Sequence, residues 1–447
     1  MYFELKNIGA INQAKVELGK LTVICGENNR GKTYIAYSLY GFLKSLFSQW
    51  YDEKFYFNLR FHKERLFTEL KEKGVVNVDL REFEQYRNEI ATQLGRLYTP
   101  KLKEVFSVNA DEFVGAEFKI GIEKRIDYSI SYFLGQARNK AVNKASKREN
   151  SSVLTITKNI DDDNMINHFV QMILFDLLVF KNFPRPFILT AERTGIQQFQ
   201  KELDKNRSDL ITTLANTRDL ALLDENVSRF ALPLKDNIDF ARNSSNVIKS
   251  NSFLKEEKPE LTAYIEEMLG VQYEIIEGQK VVIDKTTHQA LPYYMSSTSV
   301  RALSDLHLWL KHIAKKGDIL FIDEPELNLH PGNQIKIARL LVKLINNGIK
   351  VFITTHSDYI IKELNNLLML ADDFPNKETL MNEFGYTPDD ILHEDDLRAY
   401  IAHINGTLSR VDTDELGMIQ SGFDNAIVQI NETSDKIASA ITNKSIQ

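Results

Sequence analysis

The sequence predicts an α/β fold: a mixed sheet carrying a Gly-bounded loop at one strand end, plus a mostly helical inserted lobe. Three observations carry this. Leu21-Thr22-Val23-Ile24-Cys25, an apolar run the length of one buried strand, leads into Gly26-Glu27-Asn28-Asn29-Arg30-Gly31-Lys32-Thr33; residues 34–40 follow with apolar residues at helical spacing. Asp318-Ile319-Leu320-Phe321-Ile322-Asp323-Glu324 is a second apolar strand, ending in two carboxylates. Lys350-Val351-Phe352-Ile353-Thr354-Thr355 is a third, closed by His356-Ser357.

Bulk composition fixes the class. At 447 residues the chain is too long for one simple core, so two or three lobes are expected. With 43% hydrophobic and 26% charged residues it reads as an ordinary globular protein. The best membrane candidate, residues 172–180, is short and interrupted by Asp176. The N-terminus lacks the basic-then-apolar pattern of a signal peptide. Cys25, the single cysteine, excludes an intrachain disulfide and reads as a small hydrophobe in its strand. These features lead us to expect a cytoplasmic protein with no membrane contact. A net charge of −7 argues against a wholly nucleic-acid-binding surface, yet leaves room for a local stripe. Arg138, Lys140, Lys144, Lys147 and Arg148 form the one obvious run, which a solvated helix or loop explains equally well.

In chain order, residues 2–7, 14–18 and 21–25 read as short strands, and a helix runs from the loop to about residue 49. Residues 49–185 read as a helical segment plus a small antiparallel sheet. Residues 50–115 show three-to-four spacing, then 117–123, 127–134 and 152–158 take strand character. Residues 186–191 hold another buried strand. Residues 196–269 are helical and polar, an inserted arm without sustained heptads. The nucleotide-binding part is expected from residues 1–48 and 270–375 with strand 186–191. Residues 376–447 extend it with a strand (397–403), a turn at Gly406 and a helix from about 419.

The chemistry lies at the three strand ends. Glycines let backbone N–H groups curl around an anion, and a helix N-terminus adds positive partial charge. Lys32 would reach the β- and γ-phosphates, and the Thr33 hydroxyl would ligate Mg²⁺. At the end of the acidic strand the chain turns, so Asp323 and Glu324 can both face a ligand. Asp323 would hold the metal through water, and Glu324 would polarise the water attacking a γ-phosphate, since phosphoryl transfer depends on positioning and charge neutralisation. His356 can contact the γ-phosphate or that water; the bland alternative is a satisfied surface histidine. Ser296-Ser297-Thr298-Ser299 opens an amphipathic helix. Its hydroxyls are either anion-binding groups or ordinary caps, and spacing alone does not separate the two.

This order of motifs resembles the ATP-binding-cassette-type ATPases of the SMC, Rad50 and OLD group. The matching stretches are residues 26–33 (Walker A), 296–300 (signature), 319–324 (Walker B), 328–331 (D-loop) and His356 (switch histidine). The wording Asp-Glu-Pro-Glu-Leu-Asn-Leu-His-Pro and Thr-Thr-His-Ser especially resembles the OLD-like prokaryotic branch. The resemblance implies an ATP- and Mg²⁺-dependent ATPase head that forms a homodimer or higher homo-oligomer around nucleotide. It implies catalytic roles for Lys32, Glu324 and His356, and metal contacts from Thr33 and Asp323. Nucleotide contacts would come from Gly26, Glu27, Asn28, Asn29, Arg30, Gly31, Lys32, Thr33 and Tyr34. Ser297 would act in trans, and Asn328 through the D-loop. Two departures stand out. The family has Ser-Gly where this chain has Ser297-Thr298, and no glutamine closes strand 186–191. Gln197, Glu192 and Arg193 compete for that place.

The leading functional expectation is an ATPase whose head engagement controls a separately encoded effector, a nuclease or toxin. Stand-alone relatives of this kind occur in prokaryotic antiviral defence, as in the PARIS and Septu systems. OLD nucleases carry a Toprim domain, but the stretch after His356 is short and Glu394-Asp395-Asp396 reads as a loop or helix start. Nuclease activity in the same chain is therefore not expected. A DNA-repair or chromosome-associated ATPase binding DNA directly is the first alternative and needs a basic channel. An ATP-binding scaffold with little hydrolysis is another; a transporter subunit fits the signature and insertions less well.

Overall fold

The computed structural model describes residues 1–48, 60–79, 87–122, 130–134, 153–158, 162–166, 170, 183–199, 202, 205, 230–276, 279–413, 433 and 436. The basic run 138–148, the apolar stretch 172–180 and the start of the helix expected from about 419 lie outside them. The chain divides into two compact units, each discontinuous in sequence.

The larger unit comprises Lys6–Gly41, Leu102–Gly115 and Pro186–Gln447. Its six-stranded sheet runs in the order Leu408–Val411, Leu397–Ala402, Leu21–Cys25, Lys350–Thr355, Ile319–Asp323, Pro186–Leu189. All neighbours are parallel except the Leu408–Val411 edge, which is antiparallel and makes the sheet mixed. Every residue of Leu21–Cys25 and of Ile319–Asp323 is buried, as expected for parallel strands covered on both faces. In register, Cys25 lies opposite Thr355 and Ile401, and Asp323 lies opposite Thr354. Gly26, Glu324 and His356 therefore all leave the sheet at one edge, at the carboxyl ends of three adjacent parallel strands.

The helices Pro259–Leu269, Thr298–His312, Pro331–Asn346 and Asp358–Met369 share one core with this sheet. Trp309, almost fully buried, stacks on Phe187 with ring centroids 5.0 Å apart. This corrects part of the expected arm at 196–269. Leu254, Leu261, Ile265 and Met268 recur at helical spacing and lie in the core of the sheet. The exposed acids Glu256, Glu257, Glu260 and Glu267 mark the outer side of two core helices, Phe253–Glu257 and Pro259–Leu269, not a separate projection. Val271–Ile276, Gln279–Asp284 and Ala290–Pro292 form an antiparallel three-stranded sheet of their own.

The smaller unit comprises Met1–Leu5, Phe42–Lys101 and Ala116–Arg185. Phe3, Phe42, Tyr98, Phe118 and Phe183 pack as an aromatic cluster, with centroid separations of 4.7 to 5.7 Å. Its sheet is built differently from the antiparallel one expected. Val153–Lys158 pairs parallel with Ile130–Leu134 and antiparallel with Val75–Asp79. Glu117–Gly121 does not belong to it. Val75–Asp79 falls where helix was expected: Gly74, at φ +69°, ends the helix Arg60–Lys73, and three β-branched valines follow.

Candidate functional site

The glycines bounding the loop have no substitute. Gly26 sits at φ +142°, and a Cβ there would lie 2.9 Å from the Ala402 carbonyl oxygen. Gly31 sits at φ +82°, and its Cβ would lie 2.4 Å from Ile11 Cδ1. Between them Asn29 also takes the left-handed conformation, at φ +61°. Glu27, Asn28 and Asn29 are exposed, and Arg30 pairs with Glu27. Lys32 is the first residue of the helix Lys32–Ser48 and is only 5% exposed. Its Nζ donates to the carbonyls of Gly26 (2.8 Å) and Glu27 (2.9 Å), closing the loop on itself. Burial pulls its pKa down, while the carboxylates of Glu324, Asp323 and Glu326 support its charge. The first turn of the helix holds no acidic side chain, so no carboxylate of its own offsets the positive N-terminus.

Asp323, 2% exposed, ends its strand beneath the loop. Thr33 Oγ1 donates to its Oδ2 at 2.9 Å, and Thr354 Oγ1 donates to its Oδ1. Burial pushes the Asp323 pKa up to about 6, against the lowering effect of these two hydroxyls. Glu324 follows in the left-handed conformation, φ +52°, with its amide donating to the Thr354 carbonyl at 3.1 Å. A continuing strand would turn consecutive side chains to opposite faces; this residue breaks the alternation. Glu324 Oε1 lies 3.4 Å from His356 Nδ1.

Glu326 and Arg193 complete the group. Glu326, almost buried, accepts at Oε1 from the Thr355 hydroxyl (2.9 Å) and the His356 amide (2.8 Å), and lies 3.3 Å from His356 Nδ1. Its role was not read from the sequence; the trace that existed was a third acid two residues after Glu324. Arg193, 2% exposed, donates from Nη1 to the carbonyls of Thr190 (3.1 Å) and Asp323 (2.9 Å), and from Nη2 to that of Glu324 (2.8 Å). Burial lowers its pKa, and Glu326, Asp323, Glu324 and Glu192 counter that. Glu192 Oε2 accepts from the Tyr37 hydroxyl at 3.4 Å. Gln197 is engaged elsewhere: its amide donates to Asp305 Oδ2 at 2.5 Å and accepts from Lys280 Nζ at 3.0 Å.

Ser297 caps the helix Thr298–His312, its hydroxyl accepting from the Val300 amide at 3.3 Å. Asn328, at φ +62°, donates to the Thr194 hydroxyl at 3.0 Å, and its carbonyl accepts from Ser299 Oγ at 2.6 Å. The Tyr34 ring lies against Phe106, centroids 5.2 Å apart. The sheet edge thus brings together residues 26–33, Asp323, Glu324, Glu326 and His356. Among the described residues, Ser297 and Tyr34 make no hydrogen bond to that group.

The donors suit one hard divalent cation. The Thr33 hydroxyl and the Asp323 carboxylate, both hard oxygen donors, touch one another at 2.9 Å. That is the donor pattern of Mg²⁺ held jointly by protein and substrate phosphates. A glycine-bounded loop between strand and helix, facing strand-end acids, defines a phosphate-loop nucleotide-binding fold. The chain belongs to the AAA ATPase domain family, which matches residues 1–361.

Among solved structures, the chain is similar to an Smc head bound to the C-winged helix domain of ScpA. Identity is 11%, covering 92% of this chain and 96% of that one, with a TM-score of 0.36. It is also similar to the Pyrococcus furiosus Smc head domain with an extended coiled coil bound to the C-terminal domain of ScpA (11%, 97% and 98%, TM-score 0.30). A third is the SMC head domain from Thermotoga maritima (11%, 92% and 98%, TM-score 0.31). At these scores the likeness is a broad one. No curated protein matches the chain.

Proposed function

We propose that this protein binds ATP with Mg²⁺ and hydrolyses it, and that the resulting engagement of two copies regulates a separately encoded effector in prokaryotic antiviral defence. One observation supports the first part above all: the Thr33 hydroxyl meets the Asp323 carboxylate at 2.9 Å, joining motifs 290 residues apart. The nucleotide-binding head is assigned to the larger unit, including the core helices between residues 253 and 269, in the cytoplasm. Lys32 leaves the carbonyls of Gly26 and Glu27 and donates instead to the β- and γ-phosphates. Residues 26–31 and the amide of Tyr34 surround the phosphates. Thr33 and Asp323 hold Mg²⁺, which when bound neutralises phosphate charge. Glu324 takes a proton from the attacking water, and His356, held between Glu324 and Glu326, orients that water or the γ-phosphate. Ser297 and Asn328 serve the nucleotide of the second copy.

The test pairs two variants of the full chain. Lys32→Ala should lose ATP binding in a calorimetric titration; unchanged affinity overturns the loop assignment. Glu324→Gln should keep ATP bound and accumulate an engaged oligomer by light scattering, with phosphate release reduced at least a hundredfold. Turnover near wild type would assign the base elsewhere. A pull-down of the Glu324→Gln protein with ATP from native cells tests the effector: a co-purifying nuclease or toxin supports that part, and its absence removes it.

A further inference from the structure

A non-glycine residue in the left-handed region must be held there. Glu324 is such a residue at φ +52°, and it bears the carboxylate on which the proposed hydrolysis turns. Two sets of bonds hold it. From the sheet side, the Glu324 amide donates to Thr354. From the other side comes Arg193, whose guanidinium accounts for the Asp323 and Glu324 carbonyls together and ties them to Thr190 at the end of the neighbouring strand.

Burying a guanidinium is costly unless the charge and its donors are satisfied. Here four carboxylates lie close enough to support the charge, and backbone oxygens, not carboxylates, accept from Nη1 and Nη2, while the buried Nε has no hydrogen-bond partner among the described residues. A surface arginine or a simple ion pair would not be built this way. The planar fork matters, because its two terminal nitrogens, fixed in one plane, span the carbonyls of Thr190, Asp323 and Glu324, two strand ends at once, whereas an ammonium group gathers its acceptors around a single atom. The next residue, Thr194, accepts from Asn328, so the same short stretch grips the chain again four residues after the acid.

We propose that Arg193 is a positioning residue for Glu324: its guanidinium clamps the backbone of the Asp323-Glu324 turn and so fixes where the Glu324 carboxylate points. Among the described residues, its terminal nitrogens donate to backbone carbonyls only. The role rests on the ATPase reading for its catalytic consequence, but the clamp itself is a property of the fold.

The test therefore has two arms, on Arg193→Lys and Arg193→Gln in the full chain. In the first, amide hydrogen exchange is followed without nucleotide. Peptides covering residues 321–328 should exchange at least tenfold faster in Arg193→Lys, while those covering 337–345 and 360–368 stay at the wild-type rate. Unchanged exchange at 321–328 overturns the clamp; faster exchange throughout makes Arg193 a mere packing residue and overturns it too. In the second arm, kcat should fall at least tenfold with KM for ATP within about threefold, and Lys should be less impaired than Gln. A raised KM at full kcat overturns the positioning role. A wild-type protein that hydrolyses no ATP would sink the proposed function while leaving the exchange arm to decide on the clamp. If Gln prevents folding, the Lys variant alone decides both arms.

Discussion

At the scale of the residue, the site trades hydration for arrangement. Asp323 is buried deeply enough to move its pKa to about 6, so its charge depends on the two threonine hydroxyls that bond it. Lys32 is likewise buried and held by the carbonyls of Gly26 and Glu27. A different buried group governs the response of stability to acid. His307, 1% exposed, stacks on Tyr273 and lies 3.0 Å from Glu266 Oε1, with Lys311 also near that carboxylate. Burial lowers its pKa below 6.5 despite Glu266, so the folded protein keeps it neutral where the unfolded chain would take up a proton. The unfolded state then binds more protons, and stability must fall as pH drops through 6.5. Asp323, with its raised pKa, works in the opposite sense between about pH 4 and 6. The comparison is cleanest between pH 7.5 and 6.0. Urea unfolding should give a lower midpoint at pH 6.0, and His307→Asn should shrink that difference.

At the scale of the element, the helix after the strand that leads to His356 starts on a cap that also shapes the site. Ser357 is the cap of Asp358–Met369: its hydroxyl accepts from the Ile360 amide at 3.3 Å and donates to Gln334 Oε1 at 2.6 Å. Its amide donates to Thr355 Oγ1, whose hydroxyl in turn donates to Glu326. Ser357→Ala should cost about 1 kcal/mol of stability in a denaturant titration, the usual price of a lost cap. The sequence was legible at these elements because local signals agree: an apolar run, a turn, then a capped amphipathic helix. Leu21–Cys25 and Lys350–Thr355 occupy the expected positions. It was illegible where the deciding contact is distant and involves backbone. Nothing in the wording around Arg193 shows that its partners are carbonyls 130 and 131 residues away. The left-handed turn at Glu324 is equally silent, since glutamate gives no hint of positive φ. Val75–Asp79 was missed because Val75 and Val78 also fit a helical period, although Gly74 and the three β-branched valines argue for a break and a strand.

At the scale of the whole molecule, the helices between residues 253 and 269 show the same limit. Their charge suggested an arm, whereas Leu254, Leu261 and Ile265 are among the least exposed residues of the larger unit's core. The smaller unit relies on rings, with Phe42 touching Phe3, Tyr98, Phe118 and Phe183. Among the described residues no helix is long and apolar enough to cross a membrane.

The strand that leads into the glycine loop is flanked on one side by Lys350–Thr355 and on the other by Leu397–Ala402. During synthesis, residues 21–25 are joined more than three hundred residues before either neighbour exists. A nascent chain stalled ahead of residue 350 holds its loop on an unpaired ribbon, without the acids' supporting threonines. Under the proposed function, ATP would therefore find a complete site only after residues 350–355 and 397–402 have joined the strand that leads into the loop.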